Sequence, residues 1–225
     1  MTPRYRLHYA PDNASLCVRL ALEELHLPYE TALVDRPGQS HKSTAYLALN
    51  PNGLIPVLET PDGALFETGA ILLFLADRHG GVFPAADSPE RARALSWLFW
   101  LSNTLHPTLR MLFYPSHYLP GQDAALRART QARIAGLLDM LEAEQASRPL
   151  PILSACYAAP MLRWLALYPV GQSDWFTLVN WPRLHQVCKT WDDRASSIAA
   201  ARAEGLGDTP FSAPRPANPP EGSAT

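Results

Sequence analysis

Apolar and polar positions alternate over residues 4–9 (RYRLHY), and apolar positions then recur at helical spacing through SLCVRLALEELHL. Alternation over a short run marks a half-buried strand, whereas i, i+3, i+4 recurrence marks an amphipathic helix. Between them, APDNAS supplies a turn and helix-start chemistry. YETALVD reads as a second strand, and after an irregular stretch IPVLET and ALFE flank the turn PDG as a hairpin. TGAILLFLADRHG then predicts a helix capped by Thr68 and ended by Gly80 and Gly81. Residues 1–80 thus predict strand, helix, strand, irregular segment, hairpin and helix.

The pattern changes at 81–89, which has linker composition and ends in Ser88-Pro89, a helix start with proline at the first turn. Beyond it the apolar spacing is helical at 90–114, at 122–146, around 154–168 and at 181–203, with no useful period-two run. The chain therefore divides into a mixed α/β domain (1–80), a linker (81–89), an all-helical domain (90–207) and a proline-rich tail (208–225). That tail is expected either to wrap the surface in extended form or to be disordered, because it cannot bury enough apolar area to fold alone.

The chain has 225 residues, 47% apolar and 18% charged, with a formal charge of -2. This is ordinary globular composition and gives no reason to expect nucleic-acid or membrane binding. Lys42 and Lys189 are the only lysines. The longest apolar run, residues 70–76, is too short to span a bilayer, and MTPRYRLHYAPDN lacks the apolar core of a signal peptide. Cys17, Cys156 and Cys188 are an odd set, too widely spaced for a zinc knuckle. The expectation is a protein of the reducing cytoplasm with no metal.

Strand-helix-strand, a proline entering a hairpin, and an acidic-hydroxyl pair opening a helix resemble a thioredoxin-fold glutathione-binding domain. With the helices that follow, the chain resembles the cytosolic glutathione S-transferase family, its bacterial beta-like branch in particular. The likeness is strongest over residues 5–80, continues over 90–145, and is strong again in RAEGLGDTPF. It implies an α/β thioredoxin-like N-terminal domain plus an all-α C-terminal helical domain.

It also implies roles for particular residues. In that fold the proline is cis, and Ile55-Pro56 occupies its place, so that the backbone N–H and C=O of Ile55 face outward to pair with an extended peptide such as glutathione. Alone, Pro56 reads equally as the end of an edge strand. Thr68 would offer a hydroxyl and free helix N–H groups to the γ-glutamyl carboxylate, and Glu67 would pair with its ammonium. Without a ligand, the same two residues simply stabilise a helix terminus.

Holding glutathione as a thiolate requires lowering a thiol pKa by about two units, about 2.7 kcal/mol of preferential stabilisation. A helix N-terminus and one hydroxyl suffice, which points to Tyr9-Ala10-Pro11-Asp12-Asn13-Ala14-Ser15. The branch's cysteine is Ala14 here, so no mixed disulfide forms with the protein, and Cys17 lacks the partner of a Cys-x-x-Cys motif. Ser15 is the first candidate thiolate donor, with Asn13 and Tyr9 behind it, although Ser15 or Asn13 also reads as a helix cap. Asp12 would raise a thiol pKa if it pointed inward.

His106 corresponds to a histidine that often faces the cleft in this branch, with Asn103 one turn earlier; it reads equally as a cap before Pro107. Lys42 is a candidate for the glycyl carboxylate or a solvated surface cation. Of Trp97, Trp100, Trp164, Trp175, Trp181 and Trp191, most are expected in the core, and aromatic residues along 97–118 are candidates for an electrophile pocket. The family's Ser/Thr-x-x-Asp capping box becomes Ser154-Ala155-Cys156-Tyr157, with Pro160 close behind, which predicts an altered helix start.

These features lead to a homodimeric glutathione transferase acting on apolar electrophiles. The alternatives are a glutathione-binding or interaction protein that has lost catalysis, and a glutathione-dependent isomerase or lyase.

Overall fold

The computed structural model describes residues 5–220; Arg4 of the first predicted strand and residues 221–225 of the tail lie outside them. Strands β1 (Tyr5–Tyr9), β2 (Tyr29–Leu33), β3 (Val57–Thr60) and β4 (Gly63–Phe66) form one sheet in the order β2-β1-β3-β4. β1 and β2 are parallel and the other pairs antiparallel, with Leu7 opposite Leu58 and Val57 opposite Phe66. The alternation of β1 turns Tyr5, Leu7 and Tyr9 into the core. Helices α1 (Ser15–Glu24) and α3 (Thr68–His79) pack together and continue the core formed with Leu7 and Leu58. The thioredoxin-like N-terminal domain is therefore present as expected.

The irregular stretch before the hairpin contains α2 (Thr44–Leu49), capped by Ser43, whose side chain accepts from the Tyr46 N–H. Six residues are too few to display a helical period. At α3 the expectation needs correction. Glu67, with φ 71° and ψ 114°, holds the cap position without a side-chain cap bond, and Thr68 is the first helical residue, buried.

The helical region comprises α4 (Arg91–Trp100), α5 (His106–Phe113), α6 (Asp123–Ser147), α7 (Ile152–Leu167), α8 (Pro182–Asp192) and α9 (Ala195–Glu204). A π-helical turn, Leu101–Leu105, joins α4 to α5. The predicted 181–203 helix is thus two, divided at Arg194, whose extended backbone accompanies an ion pair with Glu24 on α1. No local breaker announces that division.

Helix α7 is buried continuously from Leu153 to Leu165 and lies at the centre of the helical region, as expected of a helix that is apolar all round. It begins before Ser154, so Ser154 is no cap; its hydroxyl is buried without a partner. An orphan N–H at its start, that of Leu153, donates instead to the Val82 carbonyl of the preceding connection. Pro160 lies mid-helix rather than in the first turn.

The described part of the tail is extended and docked. Phe211 is buried in the core, its N–H donates to Asp192, and Arg163 donates to the carbonyls of Pro210 and Arg215. The disordered alternative therefore does not hold for residues 208–220. Among the described residues, no helix is long and apolar enough to cross a membrane.

Candidate functional site

A cavity of about 490 Å³ opens between the thioredoxin-like domain and the helices. One wall is built from chain turns. Ile55-Pro56 is a cis peptide bond, and the β3 pairings begin only at Val57, leaving Ile55 outside the ladder. Asn50 holds this turn by donating to the Leu54 carbonyl at 2.7 Å, and Gly53 adopts φ 59°, a conformation that glycine tolerates. Glu67 sits at the rim with positive φ, a conformation costing about 1–3 kcal/mol for a non-glycine residue and associated with functional sites. Ile55, Pro56, Glu67 and Thr68 all line the cavity.

The start of α1 reaches the same space. Asn13 and Ala14 line it; the Asn13 side-chain N–H donates to the Pro11 carbonyl at 2.8 Å, while its oxygen accepts from Arg36 at 2.9 Å. Arg36 and His41 also line the cavity, and His41 Nδ1 is buried without a hydrogen-bond partner. Desolvation, followed by the charges of Lys42 and Arg36, lowers the His41 pKa.

The opposite wall comes from helix faces. His106 and Arg110, one turn apart on α5, line it with Phe113 and Tyr114. His106 Nδ1 is 2.9 Å from the Tyr157 hydroxyl on α7. Burial, with Arg110 adding to it, lowers the His106 pKa to about 4, so the imidazole is neutral at pH 7. Burial also pushes the Tyr157 phenol well up.

Asp12 carries a different load from the one its position suggested. Both its oxygens accept from Arg163, at 2.8 and 3.0 Å, and they also accept from Trp164 Nε1 and the Tyr168 hydroxyl. Both ion-pair side chains are fully buried. The Asp12 N–H donates to Glu204, which accepts from Arg19 at 2.7 Å. The charge that would have opposed a thiolate is compensated by a guanidinium within the protein.

Four expected site residues are not brought to the cavity. Ser15 is fully buried, its hydroxyl donating to the Ala10 carbonyl at 3.1 Å, because α1 begins there and the side chain turns back under the β1–α1 loop. Tyr9 follows the β1 alternation into the core, with Arg19 4.7 Å from its ring centroid. Lys42 is exposed, and its neighbour His41 takes the inward place. Asn103 is exposed because the wider π turn, with i→i+5 bonding, brings Ser102 rather than Asn103 round to the His106 face.

Sequence reasoning missed Arg36, His41, Arg110, Tyr157 and Tyr168. The spacing of Arg110 from His106 was a usable signal. Tyr157 was noticed only as a broken cap. Nothing local marks Arg36, which lies in an irregular segment. Of the expected aromatic residues, Phe113, Tyr114 and Trp164 reach the cavity, whereas Phe99 is exposed. All three cysteines are buried free thiols, with desolvation raising their pKa values.

The family description "Glutathione S-transferase, N-terminal domain" matches residues 14–78. The chain is 43% identical over 91 residues to glutathione S-transferase GstB of Escherichia coli K12, covering 39% of this chain and 44% of that protein. It is 36% identical over 121 residues to the disulfide-bond oxidoreductase YfcG of the same organism, covering 51% and 56%. The chain thus spans about half the length of these curated relatives. Against a glutathione S-transferase of Silene vulgaris it is 30% identical over 148 residues, covering 61% of this chain and 68% of that one. A sphingomonad glutathione S-transferase complexed with glutathione superposes with a TM-score of 0.75 at 28% identity, over 90% of this chain and 100% of that chain. The chain belongs to the glutathione S-transferase family.

Proposed function

We propose that this protein binds glutathione in the cavity between sheet and helices and adds its thiolate to small apolar electrophiles. The observation that carries the reading is the convergence on one cavity of Ile55 outside the ladder, Glu67 and Thr68 at the start of α3, and Asn13 with Ala14 at the start of α1. Their chemistry suits the three parts of the peptide. Glu67 pairs with the γ-glutamyl ammonium, while α3 N–H groups receive the neighbouring carboxylate. Ile55 pairs with the cysteinyl backbone. Arg36 and the unpartnered His41 nitrogen receive the glycyl carboxylate.

The sulfur then lies at the positive end of α1. Asn13 replaces Ser15 as the side-chain donor in this reading, with Arg36 adding positive charge. Ionisation releases the thiol proton to solvent, the sulfur forms the new bond to the electrophile, and the leaving group departs with the electron pair. His106, neutral and hydrogen-bonded to Tyr157, orients the electrophile. A homodimer in a reducing cytoplasm, with a detoxifying role, belongs to the same proposal and is supported by the family resemblance.

A second reading is thiol–disulfide exchange with glutathione's own sulfur as the attacking group, favoured by the 36% identity to YfcG. A third, glutathione binding without turnover, is favoured by Ala14 standing where the branch carries cysteine. Ultraviolet difference titration of bound glutathione separates the last from the others. An apparent thiol pKa about two units below the free value of about 8.5 is expected. Saturable binding with an unshifted pKa would leave a binding protein. Parallel assays with an aryl halide and a disulfide then distinguish conjugation from exchange.

A further inference from the structure

We propose that the electrophile subsite is selective for planar aromatic electrophiles carrying a carboxylate, with Arg110 as the residue that binds that carboxylate. The inference deepens the glutathione-transfer reading and rests on it.

Arg110 differs from the other cations at this cavity. Arg36 is bonded to Asn13, and Arg163, which does not line the cavity, is paired with Asp12 behind it. Arg110 lines the helical wall half-buried, and among the described residues its guanidinium has no ion-pair or hydrogen-bond partner. Its guanidinium carbon lies over the face of Tyr114, 5.6 Å from the ring centroid.

The anions that line the cavity do not serve it. The Asp12 carboxylate already accepts bonds from Arg163, Trp164 and Tyr168. Glu67 belongs to the opposite wall, at the start of α3. A half-buried guanidinium without a protein anion has lost hydration that a ligand carboxylate can replace by a charge-assisted, bidentate pair.

The rest of this wall specifies what carries the carboxylate. Phe113 and Tyr168 meet edge to face at 6.4 Å, and Trp164 lies beside the His106 ring at 5.7 Å. These rings present apolar faces and edges to which a flat ring adapts by stacking or T-shaped contact. In the step itself, the glutathione sulfur bonds to the ring carbon bearing halide, and the carbon–halogen bond breaks. The halide leaves with the electron pair, and the thiol proton has already gone to solvent. The carboxylate takes no part in bond changes; its pairing with Arg110 orients the ring.

The test uses the full chain with two electrophiles that share a ring and a leaving group, 4-chloro-3,5-dinitrobenzoate and its methyl ester. Each kcat/KM is divided by the uncatalysed rate with glutathione. The wild type is expected to favour the carboxylate by about tenfold, the scale of one charge-assisted hydrogen bond. Arg110→Gln should collapse that ratio toward one, and Arg110→Lys should restore part of it. An equal or ester-favouring wild-type ratio, or a ratio unchanged in Arg110→Gln, overturns the proposal.

Calorimetric titration of unreactive 3,5-dinitrobenzoate, with and without glutathione, reads the subsite independently of turnover. Binding lost in Arg110→Gln supports the assignment even if neither chloride is turned over, an outcome that would sink the transferase reading alone. No benzoate binding in the wild type overturns the subsite, whatever glutathione does.

Discussion

On the sheet side of the cavity, the groups come from places where the chain turns: the Ile55-Pro56 bond, the positive-φ residue Glu67, the two residues just before α1 and the first residue of α3. On the helical side they come from side chains presented on the faces of α5 and α7, such as His106, Arg110 and Tyr157. The first kind of wall uses backbone groups and helix ends, so its chemistry follows from local conformation. The second depends on which face each helix presents, and a single π turn changes that face. Function carried by turns is therefore readable locally, and function carried by helix faces only after packing.

The two walls are fastened by buried charge, and breaking that fastening should have the largest effect. Arg163→Leu leaves Asp12 buried without its cation and should cost about 3–5 kcal/mol. Denaturant unfolding measures it. The double variant Asp12→Asn/Arg163→Leu should recover a substantial part, and failure to do so would mean that the tail carbonyls, not Asp12, are what Arg163 chiefly serves.

Next comes the pH response of the helical wall. His106 has a folded-state pKa of about 4 against an ordinary value of 6.5. Between those values the unfolded chain binds more protons than the folded one, so stability falls as pH drops from about 6.5 to about 4. Unfolding free energies across that window should slope less in His106→Asn. An identical slope would assign acid sensitivity to other groups.

On the sheet wall, Glu67→Gln should weaken glutathione binding by about tenfold, the scale of one charged hydrogen bond, with little change in melting temperature because Glu67 is exposed and makes no cap bond. Calorimetry gives the affinity directly. The smallest effect is expected at Ser15→Ala, where loss of the bond to Ala10 costs about 1 kcal/mol of stability. The thiol pKa of bound glutathione should shift less in that variant than in Asn13→Ala. The reverse order would return Ser15 to the thiolate.

Much of the molecule was legible because it is local. The β1 alternation, the PDG hairpin turn, the helical spacing of α1, α3 and α6, and the proline at the hairpin entrance each express a short-range preference. Ser15 misled because a hydroxyl at a helix start looks the same whether it faces a ligand or folds under its own loop. The compensation of Asp12 was not legible for a related reason: its partner Arg163 lies far away in sequence on another helix.

Apart from α2 and the division of α8 from α9, the amino-acid sequence alone determined the order of elements, the thioredoxin-like and helical regions, and the turn-borne wall, since backbone preferences act over a few residues. Tertiary structure decided which side chains see the cavity. It turned Ser15, Tyr9 and Asn103 away, brought Arg36, Arg110 and Tyr157 in, and compensated Asp12 with Arg163. Those outcomes depend on helix phase, on pairings between distant residues, and on desolvation. Each of these is set only when the walls pack together.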